Sequence, residues 1–122
     1  DRSGDLIAEL IRVPERFERA PELVGTYTVL LAENIAPDAP LHDRLHNRYR
    51  DAVDIITSII ERGQNSGNYR TDLNAANKAV EILAFINGME ILWLLDPSIS
   101  LTEVFKEYAD SLARDLAPSR LT

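Results

Sequence analysis

The chain has 122 residues, 45% of them hydrophobic, and no cysteine, which suits one domain with one core and excludes a disulfide framework, a thiolate metal site or a cysteine nucleophile. Thirteen basic residues stand interspersed among twenty acidic ones, for a net charge of −7, so the clustered cations that grip nucleic-acid phosphates are missing. No basic segment leads an apolar run at the start, and the longest apolar run is broken by two glutamates, an asparagine and a glycine; neither a signal peptide nor a membrane span is expected, and the setting reads as reducing and cytoplasmic.

The apolar spacing is helical throughout. Leu6, Ile7, Leu10, Ile11 and Phe17 form a first amphipathic segment, and Pro14, which lacks a backbone donor, predicts a kink or restart within it. Pro21 and Glu22 suit the first turn of a second helix. That helix carries Leu23, Tyr27, Leu30 and Asn34 on one stripe, with Val24, Leu31 and Ile35 beside it, and ends before "APDAP". A third helix is expected to begin near Asp38. Its stripe of Leu41, Leu45, Tyr49, Ala52, Ile56, Ile59 and Gly63 is widened by Val53, Ile55 and Ile60 toward its C-terminal half, the half expected to lie deeper. Gly67 is placed to take the left-handed turn that closes it. After the link "NYRTDLN", Asn74 is the predicted N-cap of a fourth helix over 75–95, which Asp96-Pro97 stops. Ser100-Leu-Thr-Glu103 is a capping box, with Ile99 and Val104 as its hydrophobic staple. The fifth helix then carries Leu101, Val104, Phe105, Tyr108, Leu112 and Leu116 before Pro118. Five helices and no sheet predict an all-α bundle.

The fourth helix, "AVEILAFINGMEILWLL" in its apolar stretch, poses the main question, because it is apolar on both sides. At 100° per residue, Val80, Ala84, Gly88, Ile91 and Leu95 share one face, while Ile82, Phe85, Ile86, Met89 and Trp93 share the opposite one. Glu81 and Glu90 fall on the two boundaries. The bulky face is expected to point into the fold. The small-residue face lets another backbone approach closely and calls for a second copy of the chain.

Catalytic and metal chemistry find little support. His42 and His46 stand four apart on a helix, but no glutamate follows the first and no third ligand is near, so a solvated face is expected rather than a metal. No Ser-His-Asp set and no glycine-rich phosphate loop is present, and no cofactor or enzymatic role is expected. Glu33, Arg48 and Glu90 are the polar groups placed to edge a cavity. Tyr27, Phe85, Met89 and Trp93 could line an apolar ligand site or simply fill the core.

The span "TYTVLLAENIAPDAPLHDRLHNRYR", then "ERGQNSGNYRTDLN", then "AVEILAFINGMEILWLLDP" resembles the C-terminal regulatory domain of tetracycline-repressor (TetR) family transcription regulators. The likeness covers about residues 20–116 and rests on the "AEN…PDAPLH" connector, the Gly67-x-Tyr69…Asp72 link and the Asn87-Gly88…Trp93-Leu-Leu-Asp-Pro97 ending. It implies a homodimer whose last two helices pair in a four-helix bundle, through Val80, Ala84, Gly88, Ile91 and Leu95 with Phe105, Tyr108 and Leu112. It also implies a small apolar or aromatic effector, held by Tyr27, Leu30, Asn34, Tyr49, Ile56, Phe85, Met89 and Trp93. DNA would be contacted only through a helix-turn-helix head that residues 1–122 do not include. The sequence opens at Asp1 rather than at an initiator methionine, which suggests processing or a piece of a longer chain. The expected organisation is one sensing and dimerising domain of a repressor. The alternative is a helical protein–protein interaction module with no small-molecule site.

Overall fold

The computed structural model describes residues 5–118; the ends of the expected 1–122 domain lie outside the described residues. Five helices follow in order: α1 (Leu6–Arg19), α2 (Pro21–Glu33), α3 (His42–Asn65), α4 (Ala75–Leu95) and α5 (Leu101–Leu116). Among the described residues there is no strand. The protein is an all-α bundle.

Local chemistry accounts for most of the helix ends. Asp5, Asn74 and Ser100 each accept a hydrogen bond from the third backbone N–H beyond them, at 3.0, 2.9 and 3.3 Å, which satisfies a donor that the helix itself cannot. Ile99 and Val104 both pack on the core beside the last of these caps. At the end of α3, Gly67 takes φ = 84°. Its N–H donates to the Gln64 carbonyl at 3.2 Å and that of Asn68 to the Gly63 carbonyl at 2.8 Å, the paired bonds of a Schellman ending.

The start of α3 differs from expectation. Residues 36–41 are turns, and the helix begins at His42 rather than near Asp38. Asn34 explains the delay: its side-chain amide donates to the Leu30 carbonyl at 2.7 Å and its Oδ1 accepts from the Leu41 N–H at 2.9 Å. The bond to Leu41 fixes the connector in a non-helical path until the chain has crossed from α2. At Pro14, where a kink or a restart is expected, α1 runs on without a restart. Its ring is buried on the same side as Leu10, Val13 and Phe17, so apolar burial offsets the lost backbone bond.

Helices α1 and α5 pack against one another and, with α4, bury Leu6, Leu10, Phe17, Ile82, Met89, Leu101, Phe105, Leu112 and Leu116 in one core. Aromatic rings join these layers. Phe105 meets Phe17 edge-on at 6.1 Å and Phe85 at 5.0 Å, and Phe85 stacks on Tyr108 at 3.9 Å. The C-terminal half of α3 closes the core with Val53 and Ile60, as its wider apolar stripe requires, although Ile55 points to solvent. Ion pairs fasten the α3–α4 link and the first turn of α4 to the end of α5: Arg70 to Asp115 at 3.5 Å and Lys78 to Asp115 at 2.6 Å. Helix α2 contributes no buried side chain and lies as an outer layer against α4.

Gly63 is small for a reason that the helical stripe alone conceals. The Tyr69 ring lies so close over it that a Cβ at position 63 would overlap the ring carbons. Gly63→Ala must displace Tyr69 and lower the urea midpoint, at a cost of at least about 1 kcal/mol. An unchanged midpoint would show that the ring can move aside freely.

Candidate ligand-binding site

A cavity of about 570 Å³ opens between α2, the first half of α3 and one side of α4, and α1 adds Arg16 and Phe17 to its wall. The apolar lining comes mainly from Val24, Tyr27 and Leu31 of α2, Leu45, Tyr49 and Ala52 of α3, and Leu83 and Ile86 of α4. Its size and mostly apolar lining with a few polar groups match the usual character of small-molecule sites. A narrower cleft of about 140 Å³ continues between α2 and α4 past Asn87, Glu90 and Ile91.

Of the eight residues expected to hold a ligand, Tyr27, Asn34 and Tyr49 line this cavity. Asn34 does so with its amide already committed to the backbone of the connector. Leu30 turns instead to a separate hollow between α2 and α3, beside Leu41 and Arg48. Ile56, Phe85, Met89 and Trp93 are not in the wall; they belong to the core or pack on it. Phe85, Met89 and Trp93 are held away from the cavity because most of the bulky face of α4 packs on α1 and α5. Phe85 is held by Phe105 and Tyr108, and Trp93 lies 6.3 Å from Phe17. The cavity is met by Ile86 from the edge of that face and by Leu83, Asn87 and Glu90 along the boundary of α4.

The two boundary glutamates part company. Glu81 is exposed and pairs with Lys78 at 2.8 Å. Glu90 is only 8% exposed, and among the described residues no cation or donor reaches it. Loss of hydration alone pushes its carboxyl up to about 7 from the ordinary 4.5. The cationic groups of the cavity stand elsewhere and have partners. Arg16 pairs with Glu9 at 3.2 Å, and Arg48 lies over the Tyr27 ring at 5.2 Å. His42 Nδ1 lies 3.0 Å from the Asn34 carbonyl, and the His42 and His46 rings stack at 5.9 Å. Both histidines thus edge the cavity instead of a purely solvated face. Among the described residues no third ligand joins them in a group that could hold a metal ion. Glu33 is exposed and takes no part in the cavity.

The other face of α4 is open. Val80, Ile91 and Leu95 are 41%, 52% and 80% exposed, Ala84 is exposed between them, and nothing lies within 4 Å of a Cβ placed on Gly88. The α5 residues expected at this surface lie elsewhere in the chain. Phe105 and Leu112 are 0% and 2% exposed and belong to the chain's own core, while Tyr108 is half-buried under Phe85. Helix α5 has a single apolar face, and α1 occupies it. What α5 turns outward is polar: Glu103, Lys106, Glu107 and Asp110. Among the described residues no helix is long and apolar enough to cross a membrane. Comparison with known protein families, with curated proteins and with solved structures finds no match.

Proposed function

We propose that this chain is the effector-sensing and dimerising domain of a TetR-type transcription regulator, which binds a small apolar or aromatic molecule and works without catalysis. The observation that carries the sensing role is the cavity of about 570 Å³ with its mainly apolar wall. The open Val80–Leu95 stripe of α4 supports a second copy of the chain as its cover. Arg16 and Phe17 place α1 in direct contact with whatever enters. In a full-length regulator α1 would lead to a DNA-reading head. A guest that favours one position of α1 would then alter the separation of two recognition helices, which must match a DNA turn of about 34 Å. A coupling of about 1–3 kcal/mol between the two sites would weaken operator binding by about 5- to 150-fold.

The test is thermal unfolding of the chain against a panel of hydrophobic and aromatic compounds, with sedimentation of the same samples. A member present at about a hundred times its Kd will stabilise the fold by about 2.7 kcal/mol, on a particle of two-chain mass. A broad panel without effect would favour the second reading, a docking module. Val29 of α2, 55% exposed, and Leu23 and Ile35 at the cavity rim, 68% and 69% exposed, give that reading its support.

A further inference from the structure

Glu90 is the one polar side chain of the cavity wall that is buried and has no partner among the described residues. It stands where the main cavity meets the narrower cleft between α2 and α4. Around it are Leu31, Ile86, Asn87 and Tyr27, which supply apolar and aromatic surface and an uncharged amide. A carboxyl in such a place is costly unless something compensates it. The charged and titratable groups on the packed elements do not: Arg16 of α1 and Arg48, His42 and His46 of α3 are engaged as described, and Tyr27 and Tyr49 carry no positive charge. Short of keeping its proton, the carboxyl has its compensation left to a guest in the cavity.

We propose that the effector is an amine: an apolar, aromatic body lies against Tyr27 and Leu31, and a protonated nitrogen donates to the Glu90 carboxylate. The proposal rests on the sensing role above and narrows it to a ligand class. A carboxylic acid would fit less well, because it would face Glu90 with a second negative charge while Arg16 already serves Glu9 and Arg48 covers Tyr27. A neutral alcohol could offer one hydrogen bond without charge. Charge-assisted bonds are about twice as strong as neutral ones.

Three probes of equal length separate these cases by calorimetry: phenylbutylamine, phenylbutanol and phenylbutyrate, each titrated into the chain and into Glu90→Gln. The expected result is that the amine binds the unaltered chain about tenfold or more tighter than the alcohol, and the acid least of all. The variant will lose that advantage and bind the amine no tighter than the alcohol. Amine affinity will also rise between pH 6 and 8 in the unaltered chain, as Glu90 gives up its proton, and stay level in the variant. Equal binding of all three probes, with no effect of the substitution, overturns the amine assignment and leaves the cavity as a ligand site. No binding of any of the three to the unaltered chain overturns the assignment and the sensing role together.

Discussion

Replacing Phe105 with alanine will cost about 3–5 kcal/mol of folding stability, and the loss will be the same at every protein concentration. The side chain is fully buried and stands between Phe17 of α1 and Phe85 of α4 at 6.1 and 5.0 Å. Its removal leaves a void that these rings cannot fill without leaving their own neighbours, Trp93 and Tyr108. Phe17 is also part of the cavity wall, so a relaxed Phe17 would loosen ligand binding as well. Urea unfolding at two concentrations a hundredfold apart checks the claim. A loss that appears only at the lower concentration would mean that Phe105 holds two chains together instead of three helices of one.

Glu90 gives the second large effect, and its sign runs opposite to that of most carboxylates. The folded protein holds this proton up to about pH 7, whereas the ordinary value is 4.5. The folded state therefore binds the proton more tightly between these limits, and stability falls as pH rises through them. Below 4.5 both states are protonated and the group contributes nothing to the slope. Above 7 the whole penalty is present. A shift of this size corresponds to about 2–3 kcal/mol once some access of water from the open cavity is allowed for. Glu90→Gln removes the charge and keeps the shape, so the variant should match the parent near pH 4.5 and exceed it by that margin at pH 8. Equal unfolding free energies for the two proteins at pH 8 would show that water already solvates the carboxylate.

The bundle was largely legible from residue order because its signals are local. Caps at Asn74 and Ser100, a left-handed glycine at 67 and Pro97 after Asp96 each act within one turn of chain, and the helix ends beside them follow from them. The two faces of α4 were also legible, since a 3.6-residue period sorts side chains without knowledge of neighbours. What covers each face was not. Phe105 and Leu112 read equally well as interface or core until α1 is seen to occupy the apolar side of α5. Likewise, nothing in the spacing distinguishes Glu81 from Glu90. Lys78 lies three residues before one and α2 covers the other, and only the second fact requires the fold. That α1 runs on through Pro14 was hidden for a related reason: the rule about its missing donor is local, while the burial that offsets it is tertiary. Asn34 was rightly placed beside the cavity, but its hydrogen bonds across seven residues to Leu41 depend on a turn that periodicity cannot foresee.

That α2 places no side chain in the core bears on how a guest gets in. The wall of a closed pocket usually has to be prised from the hydrophobic interior, and the fold resists. Here the outermost wall is a helix moored at its far end by the Asn34 clasp and otherwise laid on α4. Lifting it exposes little that was dry, so its amides should trade hydrogen for deuterium well before those of α4. The doorway of the cavity is thus the least expensive part of the molecule to open, and the three helices behind it can keep their packing while a molecule passes.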